Sequence, residues 1–318
     1  MSGKTFTVSR GPTLICPRDH GALEPTVHGL YCAACGSCYP VIRGVPILID
    51  DEASVFARGD YSGGGYLGAA YGTDRDRTSG LRRAYRRVMH RMSEGTVRVS
   101  PPISEFIQHV CKEAPPGPNL VIGAGDMEFE DARFVYTDVS FGRHVTVICD
   151  AHQLPYANGA FAGAVMVAVL EHVADPVRCV SEIHRVLADG GLVYADTPFL
   201  QPVHMGAYDF TRFTYLGHRR LFRWFDDIDS GVSIGPSAAL GHSIAYTLRC
   251  FGSSKRLRQV IGGLGVILAF LIRQLDRIVG STQAAYDAAG GVYFLGRRRN
   301  DPIPDRAIIR LYRGSNRP

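Results

Sequence analysis

Two glycines and two aspartates between positions 123 and 150 could together hold a nucleotide-like ligand. Gly123 and Gly125 have no Cβ, so their backbone can approach a ligand closely. Asp138 and Asp150 are carboxylates, which accept hydrogen bonds from the hydroxyls of a ribose or from an exocyclic amine. The pattern therefore predicts a site for a ligand that carries a ribose and a base.

Each of these residues follows an apolar segment that is typical of a β-strand. Strands are predicted at 119–122, 134–137, 145–149, 165–169 and 192–195, with a helix that ends at Leu187 before the last of them. Strands that alternate with helices indicate a parallel sheet, and ligands of such sheets bind beyond the carboxyl ends of the strands. We therefore expect the four residues to meet in one crevice.

The glycine pair does not complete a dinucleotide fingerprint. Such a fingerprint needs a third glycine three positions after Gly125, and Glu128 stands there. This difference argues against an NAD-type site.

Five segments together resemble the motif series of class I S-adenosylmethionine-dependent methyltransferases. They are Gly123-Ala-Gly125, Asp138, Asp150-Ala-His-Gln-Leu-Pro155, Val169-Leu-Glu-His-Val-Ala-Asp-Pro176 and Glu182-Ile-His-Arg-Val-Leu-Ala-Asp-Gly-Gly191. The likeness covers roughly residues 101–222. It implies an enzyme with an α/β, Rossmann-like fold on a seven-stranded sheet, with S-adenosylmethionine as cofactor.

The resemblance implies eight cofactor-binding residues, all near strand ends: Gly123, Ala124, Gly125, Asp138, Asp150, Ala151, Val169 and Leu170. The glycine segment would lie against the methionine part of the cofactor, and Asp138 would hold the ribose hydroxyls. Asp150 and Ala151 would meet the adenine. The last two residues would border the pocket where the fourth strand ends.

Two features depart from the family pattern. The segment 138–144 is too short for the helix that usually links the second and third strands, so we expect an open ribose side. Ala162 stands where the family commonly has an aspartate, whose role is structural. Neither departure removes a predicted cofactor contact.

Glu171 and His172 place a carboxylate beside an imidazole, a combination that can perform acid/base chemistry. Adjacent residues that leave a strand usually point in opposite directions, and in the family this pair shapes the floor of the cofactor site. A structural role is therefore favoured for them. Asp175 and Pro176 predict a helix start, with a capping carboxylate and a proline in the first turn.

The segment after the fifth predicted strand is expected to bind the methyl acceptor. Methyl transfer requires an aligned nucleophile and exclusion of water, and a hydroxyl acceptor also needs a base. His204 is the candidate base, because its ordinary pKa lies near neutrality. Asp209 would orient His204 or bind the acceptor directly. Tyr208 would wall the pocket, and Arg212 would bind a carboxylate or phosphate of the substrate. Alternatively, Asp209 and Arg212 simply form an ion pair that fixes this segment.

The first part of the chain predicts a structural zinc site. Cys16 lies in one short knuckle, and Cys32 and Cys35 lie in a second, so soft ligands can form a tetrahedron. The segment resembles the small zinc-ribbon module of the Trm112-type activator proteins. A ribbon that has lost its metal is the alternative.

The fourth zinc ligand is ambiguous, because Asp19 replaces the second cysteine of the first knuckle. His20 is our preferred ligand, since imidazole and thiolates both suit zinc. Asp19 and Cys38 are the alternatives.

Composition divides the chain into three parts. We predict a zinc-ribbon-like module at 12–52, a linker with a possible lid helix at 53–100, and a methyltransferase domain at 101–318 with a substrate insertion around 198–290. The uncharged segment 260–272 is too short to span a bilayer, so we expect it to pack on the core. Contact with lipid or with a lipid-linked substrate is the alternative for this segment.

The chain has 318 residues, of which 46% are hydrophobic, and a formal net charge of +5, all typical of a folded protein. Its basic residues are scattered, which argues against nucleic acid as a partner. The N-terminus lacks the pattern of a secretion signal, so a cytoplasmic location is expected. We expect methyl transfer to a small molecule or to a glycan or lipid-linked acceptor, at oxygen. The alternatives are an RNA or protein methyltransferase that docks through the ribbon, and a non-catalytic scaffold.

Overall fold

The computed structural model describes residues 11–63, residue 97 and residues 99–315. Residues 64–96 of the predicted linker, which include the possible lid helix, lie outside the described residues.

All eleven strands of the described residues form one sheet. Their bounds are β1 Leu23–Thr26, β2 Gly29–Cys32, β3 Cys38–Ile42, β4 Val45–Leu48, β5 Asn119–Ile122, β6 Phe134–Asp138, β7 Val147–Cys149, β8 Phe161–Val167, β9 Leu187–Pro198, β10 Phe225–Ile234 and β11 Gly291–Arg298. Their order across the sheet is β1-β2-β3-β4-β7-β6-β5-β8-β9-β11-β10.

The prediction of a seven-stranded sheet is therefore wrong, and the reason is the pairing of β4 with β7. These two strands run parallel, with Ile47 opposite Ile148 and Leu48 opposite Cys149. The antiparallel meander β1–β4 thereby extends the sheet at its β7 edge. Sequence patterns within each strand do not reveal such a pairing between distant segments.

The seven strands from β5 onward form the remainder of the sheet. Strands β5 to β9 are parallel to one another, and β11 runs antiparallel between β9 and β10. The chain moves outward from β5 through β6 to β7, then returns to place β8 on the other side of β5. This reversal opens a crevice at the carboxyl ends of β5 and β8.

Eight α-helices are found in the described residues. They are α1 Ile103–Glu113, α2 Pro176–Val186, α3 Tyr215–Leu221, α4 Pro236–Cys250, α5 Lys255–Ile272, α6 Asp276–Val279, α7 Gln283–Asp287 and α8 Asp305–Ile309. Helix α2 begins as predicted, because the Asp175 side chain accepts a hydrogen bond from the backbone N–H of Arg178 and Pro176 occupies the first turn.

Strands β5 to β8 at the centre of the sheet are buried on both faces. Side chains alternate along a strand, so Leu120 packs in one hydrophobic cluster with Ile183 of α2. Val121 packs in the opposite cluster with Phe106 and Val110 of α1. The two helices thus fix β5 from both sides, and with it the residues that follow its carboxyl end.

Residues 11–63, which we call the N-terminal module, share this core. Leu14 forms an isolated bridge with Tyr156, and the backbone N–H of Ile15 donates to the carbonyl of Pro155 at 3.0 Å. Cys16 and Tyr39 belong to the same hydrophobic cluster as Leu120. The module is therefore attached close to the carboxyl end of β7.

Helix α5 packs along α4. Gly241 of α4 lies close to Ala269, and Gly265 of α5 lies close to Ala245, so small residues line the contact. Val260 and Leu264 remain about 60% exposed. None of the helices in the described residues is both long enough and apolar enough to cross a membrane.

Candidate functional site

A pocket with an empty volume of about 860 Å³ lies at the carboxyl ends of β5 to β8. Five of the eight predicted cofactor-binding residues line it: Gly123, Asp138, Asp150, Ala151 and Val169. Ala124 and Leu170 are buried beside it at 1% exposure, and Gly125 contacts Asp138 through its backbone. The structure thus brings the predicted residues together in one crevice.

Gly123 follows β5 at a position where only glycine fits. Its φ of +62° lies in the left-handed region. A Cβ added there would also lie 2.5 Å from Cγ2 of Val169. The lack of a side chain keeps the pocket open between the ends of β5 and β8.

The carboxylate of Asp138 at the end of β6 is held by the neighbouring loop. Its Oδ2 accepts the backbone N–H of Gly125 at 2.8 Å, and its Oδ1 accepts the N–H and the hydroxyl of Ser140, both at 2.9 Å. A carboxylate offers about four lone-pair sites, so one further hydrogen bond can be accepted from a ligand hydroxyl. No helix follows β6 before β7, as the short spacing predicted.

Asp150 is oriented by His152. The backbone N–H and Nδ1 of His152 lie 3.0 and 2.5 Å from Oδ1 of Asp150, while Nε2 accepts the backbone N–H of Asp175 at 3.0 Å. Since Nε2 is an acceptor, the proton sits on Nδ1 and the ring is neutral. Burial tends to raise the pKa of Asp150, but the hydrogen bonds from His152 and from the Ser54 hydroxyl lower it overall. Asp150 therefore stays ionised where it lines the pocket.

The N-terminal module supplies part of the pocket wall. Ser54 donates its hydroxyl to Oδ2 of Asp150 at 2.5 Å. Val55 and Phe56 line the pocket, and the ring of Phe56 stacks on Tyr208 with centroids 5.7 Å apart. Sequence reasoning missed these three module residues, because they reach the pocket only through the pairing of β4 with β7.

The segment between β9 and α3, residues 199–214, forms the far side of the pocket, and we call it the acceptor loop. Its Tyr208 and Met205 line the pocket. The carbonyl of Glu171 accepts the N–H of Phe210 at 2.7 Å, which fixes the loop to the end of β8. Tyr208 thus lies at the wall of the pocket, and its contact with a substrate stays a prediction.

Arg212 fixes the acceptor loop from within. Its five N–H groups donate to both carboxylate oxygens of Asp209 and to the carbonyls of Gln201, Pro202 and Thr211. Arginine has five donors, so this conformation leaves none for a substrate. Neither Arg212 nor Asp209 lines the pocket, and the structure matches the ion-pair alternative for these two residues.

His204 is positioned by Asp209 and faces Glu171. Its backbone N–H donates to Oδ2 of Asp209 at 2.9 Å, and its Nε2 lies 3.6 Å from Oε1 of Glu171. The rings of His204 and His172 meet edge to face, with centroids 4.7 Å apart. The nearby Glu171 carboxylate raises the pKa of His204. For Asp209, burial tends to raise the pKa, but the hydrogen bonds from Arg212 and from the His204 backbone bring it to about 2.

A second group of potential ligands lies in the N-terminal module. Cys16, Asp19, Cys32 and Cys35 have ligand atoms within 4.8 Å of one another. The Sγ atoms of Cys16 and Cys35 are 3.6 Å apart, close to the ~3.8 Å expected for two thiolates of a tetrahedral zinc with bonds of about 2.3 Å. Three sulfurs and a carboxylate therefore fit a structural zinc ion.

The fourth potential zinc ligand in this group is Asp19, whereas the sequence favoured His20. The carboxylate of Asp19 accepts the backbone N–H of Gly21 at 2.9 Å and lies 3.4 Å from Sγ of Cys32. His20 has a left-handed φ of 60° and is exposed, outside the group. Cys38 is also exposed and lies outside it.

Comparison with known protein families identifies a domain in the part of the chain that carries the pocket. Residues 110–195 match the family model described as a methyltransferase domain. No curated protein sequence matches the chain. The chain thus carries a methyltransferase domain, and the protein is an enzyme of that type.

Several solved structures share similarity with the chain at low identity. Geranyl diphosphate C-methyltransferase from Streptomyces coelicolor A3(2) has a TM-score of 0.39 and 18% identity, covering 62% of this chain and 77% of that one. Phosphoethanolamine N-methyltransferase 2 from Haemonchus contortus has a TM-score of 0.37 and 14% identity, covering 67% and 56%. A chain from the complex that contains the Haloferax volcanii Trm112 methyltransferase activator has a TM-score of 0.38 and 15% identity, covering 70% and 95%.

Proposed function

We propose that the protein transfers the methyl group of S-adenosylmethionine to a hydroxyl of a small-molecule or lipid-linked glycan acceptor. The observation that carries this proposal is one continuous pocket with two chemically distinct ends. Gly123, Asp138 and Asp150 line one end, and His172 and Tyr208 line the other. The first end suits the cofactor, and the second faces the acceptor loop.

The cofactor end supports binding of a nucleoside with a charged tail. Asp138 would accept a ribose hydroxyl with its remaining lone pair, and Asp150 would accept the adenine amine. The backbone at Gly123 would lie against the methionine part. When bound, S-adenosylmethionine supplies a methyl group activated on a sulfonium, so the protein has to align the acceptor and exclude water.

The acceptor end supports an acceptor that loses a proton. Glu171, His172 and His204 form a cluster of a carboxylate and two imidazoles beside the pocket. Such groups would assist removal of a hydroxyl proton, whereas an apolar carbon acceptor has no use for them. The assignment of His204 as the base itself remains a prediction from the sequence.

The surroundings of the acceptor loop support an acceptor with an apolar part. The hydroxyl of Tyr246 in α4 donates to the carbonyl of Val203 at 3.5 Å, so the α4–α5 pair lies beside the loop. Val203, Leu240 and Leu264 are each more than half exposed. This apolar surface would suit the lipid part of a lipid-linked glycan.

Calorimetric titration with S-adenosylmethionine and S-adenosylhomocysteine tests the cofactor part of the proposal. We expect saturable binding to the wild type, weaker binding to Phe56→Ala, and unchanged binding to Phe251→Ala, since Phe251 is 73% exposed. Transfer of labelled methyl to hydroxylated glycans, with and without a lipid carrier, then tests the acceptor. A folded protein that binds neither cofactor form would overturn the proposal.

A further inference from the structure

We propose that Glu171, His172 and His204 bind one divalent transition-metal ion at the acceptor end of the pocket. This site is separate from the cysteine group of the N-terminal module. The role of this ion in catalysis rests on the function proposed above, whereas its binding does not.

The three side chains already have nearly the separation that an ion requires. Nε2 of His172 lies 3.5 Å from Oε1 of Glu171, and Nε2 of His204 lies 3.6 Å from the same oxygen. All three ligand atoms lie within 4.8 Å of one another. With bonds of about 2.0–2.2 Å, ligand atoms around one ion are separated by roughly 3.0–3.5 Å. Small side-chain rotations would therefore bring the three ligand atoms within bonding distance of one ion.

The state of Glu171 is the second observation. Its side chain is fully buried, yet neither carboxylate oxygen has a hydrogen-bond partner among the described residues. Burying a carboxylate without hydrogen bonds is costly, so buried charges are normally paired or coordinate a metal, and in the described part of the chain only the two imidazoles at 3.5 and 3.6 Å face the carboxylate. Its backbone carbonyl, by contrast, accepts the N–H groups of Phe210 and Thr211. The loop thus satisfies the main chain of Glu171 and leaves its side chain available to a cation.

Both histidines are oriented in the way that metal ligands are. Nδ1 of His172 lies 2.8 Å from the carbonyl of Tyr208 and must donate to it, so Nε2 carries the lone pair. Nδ1 of His204 lies 3.4 Å from the carbonyl of Pro202 and 3.5 Å from Oδ2 of Asp209. A histidine that binds a metal commonly donates its other N–H to a carbonyl or carboxylate. When His204 binds a metal through Nε2, its Nδ1–H would donate to the carboxylate of Asp209, which Arg212 holds in place.

The ligand set indicates the class of ion and its use. Two imidazoles with one carboxylate suit first-row transition ions such as zinc, iron or manganese. Three protein ligands leave coordination positions open for an external oxygen, as in catalytic sites. His204 is 39% exposed, so such a ligand can reach this side of the site.

In methyl transfer the ion would bind the acceptor hydroxyl and lower its pKa. The hydroxyl proton would pass to water. The oxygen would then form a bond to the methyl carbon while the carbon–sulfur bond breaks and its electron pair stays on sulfur. In this arrangement His204 binds the ion, in place of the role of base that the sequence predicted for it.

Metal content of the full-length protein tests the site. Protein stripped with a chelator is dialysed against Zn²⁺ and then against metal-free buffer, and zinc per chain is measured by elemental analysis. We expect the wild type to hold one equivalent more than Glu171→Gln and one more than His204→Ala. His144→Ala is the matched control, because His144 forms a comparable pair with Glu128 at 3.3 Å away from this cluster. It should retain the wild-type content.

Equal zinc content in all four proteins would overturn the proposal, whatever the content of the cysteine group. Circular dichroism and thermal unfolding of the same samples show that the variants are folded, and binding of S-adenosylhomocysteine is measured separately. A difference in zinc without any cofactor binding would leave the metal site standing and reject the proposed function. His204→Ala keeps the test decisive if Glu171→Gln fails to fold, because His204 is partly exposed on a loop.

Discussion

Ser54 donates its hydroxyl to Asp150 at 2.5 Å across 96 positions of sequence, and this bond makes the N-terminal module part of the candidate cofactor pocket. The residues next to Ser54, Val55 and Phe56, line the same pocket. The module therefore shapes the pocket from outside residues 110–195, the region that matches the methyltransferase family model.

Ser54→Ala should weaken the binding of S-adenosylhomocysteine by several-fold. The change removes a hydrogen bond to an ionised carboxylate, and such bonds contribute about 1.5–3 kcal/mol. The same bond holds in place the part of the pocket wall that Val55 and Phe56 form. Calorimetry provides the measurement. Ser62→Ala, at an exposed position of the neighbouring turn, should bind like the wild type. Identical affinities for both variants would show that the module wall does not contribute to binding.

Asp138→Ala should reduce both cofactor affinity and stability. Asp138 is only 7% exposed and accepts three hydrogen bonds. Leaving buried donors unsatisfied costs about 1–3 kcal/mol. We expect an affinity loss on the order of tenfold, together with a lower midpoint in chemical denaturation. Asp131→Ala, which removes a partly exposed carboxylate, is the control.

Arg212→Lys should destabilise the acceptor loop and lower methyl transfer without changing cofactor affinity. Lysine has three donors, so at least two of the five acceptors around Arg212 lose their bond. The expected loss is about 1–3 kcal/mol of unfolding free energy. Arg133→Lys, at an exposed ion pair, should change stability by less than about 1 kcal/mol. Wild-type turnover in Arg212→Lys would mean that the loop tolerates the loss.

Zinc in the N-terminal module should depend on Asp19 and not on His20. Asp19→Ala removes a ligand of the predicted tetrahedron, whereas His20→Ala changes an exposed residue outside it. We expect lower zinc content and a lower thermal midpoint only in the first variant, because a structural zinc contributes directly to folding. The reverse result would restore His20 as the ligand.

Stability should fall in acid because of His218. Burial, and then the charge of Arg219, lower the pKa of His218 to about 3, against about 6.5 in an unfolded chain. Between these values the unfolded state binds the extra proton, so the stabilisation present above pH 6.5 is lost as the pH falls toward 3. The slope of unfolding free energy is about 1.4 kcal/mol per pH unit for one proton.

Denaturant unfolding of wild type and His218→Gln across this pH range measures the effect. Glutamine retains a group that can bond to Thr197, which lies 3.1 Å from Nε2 of His218. The variant should lose the part of the slope that His218 contributes. If the unfolding free energies of the two proteins change in parallel with pH, groups other than His218 dominate the loss of stability in acid.

The meeting of Gly123, Asp138 and Asp150 in one pocket was predictable from the sequence because its determinants are local. Gly123, Asp138 and Asp150 each end a short apolar strand, and parallel strands bring their carboxyl ends to one edge. The start of α2 at Asp175 was likewise confirmed, since capping depends on a few adjacent residues. Strand bounds were less exact: the fourth predicted strand, at 165–169, is Phe161–Val167.

Contacts between distant segments were decided only by the tertiary structure. The pairing of β4 with β7 turned seven strands into eleven and brought Ser54 to Asp150. The packing of the acceptor loop used all the donors of Arg212 and placed His204 against Glu171. Residue type and spacing report what a side chain can do within its own element. Which partner it meets depends on how separate elements pack.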